Sequence, residues 1–352
     1  MRRKKRFPIT ALAILVMLIF LIIKSSSALS ELLVIDSPSI FPTPGFSTRD
    51  PSEGTVLNPD PRKALSPDAL EEADLEPSPA TSVLLPSATR LYSPNAIVID
   101  LDSKELLLEK GSEDRIYPAS LTKIMTVITA LENLEDLDKE VLIRKELYDR
   151  LTAENSSMAG FLPQERVPAI DLLYGAMLPS GGECCMSLAE YISGSEAEFV
   201  RLMNQKASDL GMDQTHFTNT TGLHDSEHYT SVRDLAVLLQ YSLLNDSFRQ
   251  IFTSQRYTSS ATNLHPDGIT MYSTMFKNLP NNISLEVNLL GGKTGYTSKA
   301  GLCLASLAEV GGKEYIMISA GAEGNKATEQ FHITDALSVY ALIKHRQFAD
   351  KP

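Results

Sequence analysis

The order of strand-like and helix-like segments between residues 92 and 350 limits the folds that this 352-residue chain can adopt. Apolar residues alternate on either side of DSKE in the stretch NAIVIDLDSKELLLEKG, which predicts a β-hairpin. The runs LEVNLLGGKTG and GLCLASLAEVGGKEYIMISAGA predict strands near the end, followed by a helix in EQFHITDALSVYALIK. Because both ends supply strands, we predict an α/β fold of the mixed α+β type, with a mixed sheet from both chain ends and a helical insertion packed on it.

The middle of this region has the spacing of helices. From Ser120 to about Leu134, apolar residues recur at intervals of three and four, so that they share one helical face. The same pattern occurs in four more segments, at residues 169–179, 182–194, 196–212 and 231–244. We therefore expect one folded domain at residues 92–350.

Residues 29–91 are rich in proline and serine, and 10 of the chain's 19 prolines lie between residues 36 and 90. Proline fixes φ and lacks a backbone N–H, so the stretch cannot build a hydrogen-bonded ladder. We predict a disordered tether, which at about 3 Å per residue could reach on the order of 150 Å.

The first 28 residues have the pattern of an export signal. The basic cluster RRKKR precedes an unbroken apolar run from Ile9 to Ile23. The run is long for a signal-peptide core and just short of a comfortable membrane span, and a weak cleavage site could lie at Ser26-Ser27-Ala28. We favour an uncleaved membrane anchor with the folded domain outside the cell, and cleavage would instead give a secreted protein.

Charge and cysteine content exclude several classes of protein. The net charge is −12, and the first 24 residues are basic without any acidic residue, so the rest of the chain is more acidic still. An acidic body does not attract nucleic acid. The three cysteines, Cys184, Cys185 and Cys303, are too few for a disulfide scaffold and lack zinc-site spacing, so we expect small buried side chains.

The stretch YPASLTKIMT places Lys123 one helical turn after Ser120, just behind Pro118. Proline suits a chain that turns into a helix, and residues three apart share a helical face. A serine hydroxyl becomes a good nucleophile when a base takes its proton, and burial lowers the pKa of a lysine towards that task. Alone the motif is weak, because Ser-x-x-Lys arises by chance about once or twice in such a chain.

Two further motifs are ambiguous when each is taken alone. Lys293-Thr294-Gly295 joins two strand-like runs. It could offer a fixed charge, a hydroxyl and close approach to a substrate backbone, or it could be a glycine-rich hairpin turn. Ser180 precedes a helix in MLPSGGE, where helix capping is the common role of serine.

Together, these three motifs follow the order found in serine β-lactamases and penicillin-binding proteins. The stretches SSMAGF, IDLLYGAMLPSGG, FTNTTGLHDSEHYTSVRDLA and GGKTGYTSKAGLC add to the likeness, which runs from about residue 92 to residue 345. The chain resembles the serine-type D-alanyl-D-alanine carboxypeptidases, the low-molecular-weight penicillin-binding proteins of peptidase family S11. This resemblance implies the transpeptidase-like fold of that superfamily.

The resemblance implies catalytic roles for three residues. Ser120 would attack the carbonyl of a terminal D-Ala–D-Ala bond and form an acyl-enzyme, Lys123 would be the base, and Ser180 would relay a proton to the leaving D-alanine. The substrate would be a peptidoglycan stem pentapeptide, and β-lactams would acylate Ser120 as inhibitors. No metal or organic cofactor is implied.

The resemblance also assigns substrate binding to the strand that carries Lys-Thr-Gly. Lys293 and Thr294 would hold the terminal carboxylate, and Gly295 would let the substrate backbone come close. The N–H groups of Ser120 and Tyr296 would form the oxyanion hole. The enzyme would thus bind the C-terminus of a substrate peptide.

One position departs from the family pattern. The middle motif usually reads Ser-x-Asn, whereas Gly182 occupies its third position here. A missing hydrogen-bond donor can cost about 10²- to 10³-fold in rate if it acts on the transition state. The neighbouring Glu183 need not point the same way. On sequence alone we expect that Gly182→Asn raises or maintains activity.

The stretch HDSEH, from His224 to His228, fits a zinc-binding H-x-x-E-H pattern. That pattern needs a helix so that both histidines face one metal, and the flanking TTG and YTS indicate a loop. We therefore do not expect a zinc site there.

Two alternatives to a carboxypeptidase remain open. A serine β-lactamase would share the motifs but would need a carboxylate to activate the deacylating water, and the sequence assigns none. A non-catalytic module that binds penicillin or peptidoglycan would explain Gly182 as a sign of lost activity.

Overall fold

A computed structural model of the chain describes residues 90–280 and 287–349. The predicted anchor or signal peptide at residues 1–28 and all but the last residues of the predicted tether at 29–91 lie outside the described residues. Within the described ranges, no helix combines the length and the apolar character needed to cross a bilayer.

The strands form one large sheet and two small ones. The nine strands of the described residues are β1 (Asn95–Asp100), β2 (Leu106–Lys110), β3 (Glu140–Leu142), β4 (Arg166–Pro168), β5 (Arg256–Thr258), β6 (Thr270–Tyr272), β7 (Asn288–Thr297), β8 (Gly301–Val310) and β9 (Lys313–Ala322). The large sheet has the order β2-β1-β9-β8-β7, and β3 pairs with β4 and β5 with β6.

The large sheet joins the two ends of the domain, as the sequence predicts. Strand β1 pairs with β9, with Ile97 opposite Ile318, while β7, β8 and β9 follow one another as neighbours. All described pairings are antiparallel. The sheet therefore combines strands from both chain ends, and its described strands include no parallel pair. Tight connections such as Gly311-Gly312 between β8 and β9, both with positive φ, permit this antiparallel meander.

The helices come mostly from the middle of the domain. The helices of the described residues are α1 (Thr122–Asn133), α2 (Lys145–Ala153), α3 (Ala169–Met177), α4 (Gly182–Ser193), α5 (Glu196–Asp209), α6 (Val232–Leu243), α7 (Asp246–Thr253), α8 (Thr274–Lys277) and α9 (Phe331–Ala349), and a 3₁₀ turn (Ala119–Leu121) precedes α1. The predicted helices correspond to α1, α3, α4, α5, α6 and α9, whereas α2, α7 and α8 were not predicted.

The two faces of the sheet bury different partners. In β1, Ile97 and Ile99 pack into the core shared with the helical insertion, while Ala96 and Val98 pack into the core shared with α9. This alternation follows from the two-residue period of a strand. Sheet and helices therefore form three layers, with the sheet in the middle.

Helix α1 lies at the centre of the helical insertion. All its residues from Thr122 to Leu131 are buried, including the polar ones. A helix that is buried all round has partners on every side, and α1 packs against α3, α4, α5 and α6. The cysteines fit the same core, because Cys184, Cys185 and Cys303 are free and buried, as expected.

The start of α1 meets the edge of the sheet. Strand β7 is the last strand in the order, and the 3₁₀ turn before α1 packs against it. A Cβ at Gly295 of β7 would lie 3.1 Å from the Ser120 nitrogen and 3.2 Å from the Ala119 Cβ. Glycine thus lets the turn and the strand touch, and this contact brings two distant motifs together.

Candidate active site

The side chains of Ser120 and Lys123 meet at the start of α1. The Lys123 Nζ lies 3.3 Å from the Ser120 Oγ and donates a second hydrogen bond to the Thr221 carbonyl at 2.6 Å. Lys123 is buried, whereas Ser120 is partly exposed to the cleft described below. The amine is therefore placed to take the proton of a hydroxyl that a substrate can reach.

Burial favours the neutral, basic form of Lys123. Loss of hydration disfavours the ammonium form and lowers the pKa of Lys123, and this outweighs the opposing pull of Cys185 and Glu183. No carboxylate of the described residues forms an ion pair with it. At a given pH, the neutral form of this amine is consequently more populated than that of a lysine in water.

A second buried lysine lies close by on β7. Lys293 is fully buried, and its Nζ donates to the Thr294 carbonyl at 3.0 Å. Burial, followed by the positive charge of Lys123, lowers the pKa of Lys293 well below its usual range. The two lysines thus oppose each other's charge. A substrate carboxylate near Lys293 would favour its ammonium form and leave Lys123 as the neutral partner.

Ser180 joins the same cleft from the turn before α4. Its φ is +72°, a strained value for a residue with a Cβ, and its Oγ is buried without a hydrogen-bond partner in the described part of the chain. Most buried hydroxyls are paired, and Ser180 differs from the other unpaired serine hydroxyls of the described residues because it lines the cleft. Its position does not fit simple capping, because α4 has no side-chain cap.

Five of the seven predicted site residues line one cleft, and the other two, Lys123 and Lys293, are buried near it. The cleft is partly open to solvent, and its empty space including that opening is about 620 Å³. Its lining consists of Ser120, Ser157, Pro179, Ser180, Thr274, Asn278, Thr294, Gly295, Tyr296, Leu302, Lys326, Gln330 and His332. The structure therefore brings together predicted residues as far apart in the sequence as Ser120 and Tyr296, which are 176 positions apart.

The sequence analysis missed part of this lining. Lys326 lies in the loop between β9 and α9, and its Nζ donates to the Ser157 Oγ at 3.2 Å. Thr274 also belongs to the site, because its Oγ1 lies 2.6 Å from the Thr294 Oγ1. Neither residue belongs to a motif. The fold alone reveals that the cleft has an additional exposed cation and a paired threonine.

Gly182 lies against a serine that fills the space of a larger side chain. A Cβ at Gly182 would come 2.4 Å from the Ser156 Oγ and 3.3 Å from both the Ser156 Cβ and the Leu151 Cδ2. The Gly182 N–H donates to the Ser157 carbonyl at 2.7 Å. The usual asparagine is therefore absent from a place that this chain has packed tightly.

Glu183 does not replace that asparagine. Its Oε1 accepts hydrogen bonds from the N–H groups of Ala159 at 2.6 Å and Gly160 at 3.0 Å. Burial raises the pKa of the Glu183 carboxyl, while these hydrogen bonds oppose the shift. The side chain braces the loop before β4 and does not belong to the cleft lining.

The HDSEH stretch is a loop, as expected, and its two histidines have separate partners. The His224 ring packs edge-on against Tyr117. His228 is buried and bonds with the Thr122 Oγ1 at 2.7 Å and the Thr218 N–H at 3.0 Å. The spacing thus does not reflect two ligands that face one metal.

Comparisons with known proteins agree with this geometry. Residues 82–324 match the family model described as D-alanyl-D-alanine carboxypeptidase, peptidase family S11. The chain is 32% identical over 255 residues to a D-alanyl-D-alanine carboxypeptidase of Streptomyces sp. (strain K15), with 70% of this chain and 86% of the relative covered. It is 31% identical over 233 residues to the D-alanyl-D-alanine carboxypeptidase DacF of Bacillus subtilis, with 66% of this chain and 58% of the relative covered.

Solved structures of related proteins share the fold of this chain. The crystal structure of the Streptomyces K15 DD-transpeptidase is similar with a TM-score of 0.64 and 26% identity, and the match covers 73% of this chain and all of that chain. A D-alanyl-D-alanine carboxypeptidase from Mycobacterium tuberculosis shares the fold, with a TM-score of 0.60, 24% identity, and coverage of 77% of this chain and 96% of that chain. The chain thus spans a whole solved relative but little more than half of DacF.

Proposed function

The chain belongs to the D-alanyl-D-alanine carboxypeptidases of peptidase family S11, and on that premise we propose that it removes the terminal D-alanine from peptidoglycan stem pentapeptides through an acyl-enzyme. The contact between the Lys123 Nζ and the Ser120 Oγ, 3.3 Å apart at the cleft, carries this proposal. It pairs a buried base with a nucleophile that a peptide in the cleft can reach.

Acylation begins with proton transfer from the Ser120 hydroxyl to the neutral Lys123 amine. The Oγ forms a bond with the carbonyl carbon of the penultimate D-alanine, and the C–N bond to the terminal D-alanine breaks. The leaving amine needs a proton, and we assign its delivery to the Ser180 hydroxyl, which lines the cleft and has no other partner among the described residues. D-alanine gains the Ser180 proton, and the proton that Ser120 gave to Lys123 replaces it on Ser180, so the count of protons balances.

Several cations and donors suit the terminal carboxylate of the substrate. Thr294 and Lys326 line the cleft, and the buried Lys293 behind them would gain its positive charge beside a bound carboxylate. The Ser120 nitrogen lies against Gly295 of the edge strand, so its N–H is in place to stabilise the carbonyl oxygen together with the N–H of Tyr296. A peptide with a free C-terminus fits this arrangement.

Water completes the reaction by hydrolysing the ester on Ser120, with Lys123 as base. β-Lactams carry a carboxylate and an amide in a strained ring. The same serine would attack this amide and the same cations would bind the carboxylate, so β-lactams would inhibit the enzyme as they do its family. No Asp or Glu belongs to the described cleft lining, and this argues against an efficient β-lactamase, which needs a carboxylate beside the deacylating water. The assembled Ser120, Lys123 and Ser180 argue against a non-catalytic binding module.

The N-terminal sequence supports a place for this activity at the outer face of the cell membrane. The RRKKR cluster and the apolar run from Ile9 to Ile23 would anchor the chain, and the proline-rich tether would let the domain reach the peptidoglycan. Fractionation of cells and mass analysis of the N-terminus test this. An intact N-terminus in the membrane fraction supports the anchor, and a chain that begins after Ala28 in the medium refutes it.

The main experiment combines a covalent label with product analysis. Purified protein is incubated with a fluorescent penicillin and, separately, with a stem pentapeptide, and D-alanine and tetrapeptide are measured. We expect a label on Ser120 and equal amounts of both products. Ser120→Ala should lose both, whereas Ser338→Ala, which removes an exposed hydroxyl on α9, should lose neither. Rapid penicillin turnover without D-alanine release would instead indicate a β-lactamase, and peptide binding without a label a non-catalytic module.

A further inference from the structure

The residue before the nucleophile has a strained backbone that must be held in place. Ala119 has a φ of +47°, in the left-handed region that disfavours residues with a Cβ. Its carbonyl lies against Gly222, where a Cβ would come within 1.8 Å of the oxygen. Because the orientation of Ala119 sets the direction of the Ser120 N–H and side chain, whatever holds this carbonyl also aims the nucleophile.

A hydrogen-bond chain ends on that carbonyl. The Thr122 Oγ1 donates to the Ala119 oxygen at 2.8 Å, and the same Oγ1 lies 2.7 Å from the His228 Nε2. A threonine hydroxyl has one proton, which the carbonyl receives, so the Oγ1 accepts its second bond from the Nε2–H of His228. All three groups are buried.

The other ring nitrogen of His228 fixes this direction. The His228 Nδ1 accepts from the Thr218 N–H at 3.0 Å, which requires Nδ1 to lack a proton. Burial lowers the pKa of His228 to about 4, so the ring is neutral at neutral pH. The tautomer with the proton on Nε2 is therefore the one that satisfies both partners.

His228 also connects the nucleophile to the loop that holds the base. Thr218 begins the segment that leads to Thr221, whose carbonyl accepts from the Lys123 Nζ, and to Gly222, which supports the Ala119 carbonyl. One imidazole thus bonds to the start of this loop on one side and to the start of α1 on the other.

We propose that His228 is a positioning residue for the nucleophile, which acts through Thr122 on the Ala119 carbonyl to hold Ser120 against Lys123. This inference rests on the proposed serine mechanism. His228 does not line the described cleft, so it acts through the hydrogen-bond chain and does not contact the substrate. The motif that imitates a zinc site thereby has a role in acylation.

Two pairs of variants test the chain. Thr122→Val removes the hydroxyl at nearly constant shape, and Thr122→Ser keeps it. His228→Gln keeps an N–H donor near the position of Nε2, whereas His228→Asn keeps only an acceptor near that of Nδ1. The readouts are the second-order rate constant for acylation of Ser120 by a fluorescent penicillin and, separately, the melting temperature.

We expect Thr122→Val and His228→Asn to slow acylation by about 10-fold or more, while Thr122→Ser and His228→Gln stay within about threefold of the wild type. The double variant Thr122→Val/His228→Asn should be no slower than the slower single variant, because both interrupt one chain. A purely structural role would lower the melting temperature of the variants and leave the acylation rate of folded protein unchanged.

The inference would be overturned if Thr122→Val were acylated at the wild-type rate, or if the rate losses of the two single variants added up in the double variant. Acylation is read without any peptide substrate. If the wild type is acylated but releases no D-alanine, the proposed function fails while the comparison of variants still decides the role of His228.

Discussion

The substitution Gly182→Asn, which restores the usual asparagine of the middle motif, is the most informative change in this chain. Sequence alone predicts that activity rises or holds. The structure alters that expectation, because a Cβ at Gly182 would lie 2.4 Å from the Ser156 Oγ. The Ser156 hydroxyl can rotate away, but the Ser156 Cβ and Leu151 Cδ2 at 3.3 Å leave little further room.

We therefore expect the single variant to be destabilised by overpacking, by about 1–3 kcal/mol. For a domain of this size that corresponds to a fall in melting temperature of roughly 3–10 °C. Gly182→Ala adds the Cβ without the amide and should show most of the same fall. Its acylation rate should be unchanged or lower, because the new side chain displaces the loop beside Ser157.

The double variant Gly182→Asn/Ser156→Gly removes the Oγ and Cβ of Ser156, two of the three atoms that would crowd the new side chain. It should recover the melting temperature of Ser156→Gly and, with the amide now accommodated, release D-alanine at least about tenfold faster than Ser156→Gly. Thermal unfolding and D-alanine release measure the two effects separately. A Gly182→Ala variant as stable as the wild type would refute the steric reasoning, since it would show that Ser156 moves aside without cost.

Three further predictions concern the charges and the proton path of the cleft. Acylation by penicillin should rise with pH as Lys123 loses its proton, with a midpoint below the usual lysine pKa of 10.5, and Lys123→Arg should abolish it; a pH-independent rate would contradict this. Ser180→Ala should slow acylation by about 100-fold or more in stopped-flow labelling, and its melting temperature should not fall, because the change removes a buried hydroxyl that has no partner among the described residues. Lys326→Ala should raise KM for a stem pentapeptide about three- to tenfold with little change in kcat, whereas the exposed control Lys139→Ala should change neither.

The fold was predictable where patterns are long. The ten-residue strands β7, β8 and β9 and the helices with a broad apolar face are all evident in the sequence. Helix α2 was not, because its sequence KELYDRLTA buries only Leu147 and Leu151. Strands β3 to β6 have three residues each, which is too short for alternation to be recognised. Short elements form here because the surrounding structure places them, not because of local preference.

The residues of the candidate site also fall into two groups, those that the sequence predicts and those that only the structure reveals. The motif residues could be named from the sequence because serine and lysine in the right order suggest their chemistry. Lys326 and His228 could not be assigned, because their positions depend on contacts with Ser157 and Thr122, more than 100 residues away. Only the fold brings such pairs together, and neither has a pattern of its own.

The features of this site that destabilise the fold indicate what the site binds. Around one cleft the chain places two strained residues, Ala119 and Ser180, an unpaired buried hydroxyl, and two buried lysines without an ion pair to any described carboxylate. Each of these features destabilises a fold, and stable proteins keep such features where function requires them. On the proposed mechanism, an anionic ligand would relieve the burial of Lys293, because its charge would stabilise the ammonium of Lys293 and so favour the neutral form of Lys123. A substrate with a free carboxylate beside the scissile bond therefore completes the electrostatics of the cleft, which explains why a peptide C-terminus suits this site better than a bond within a chain.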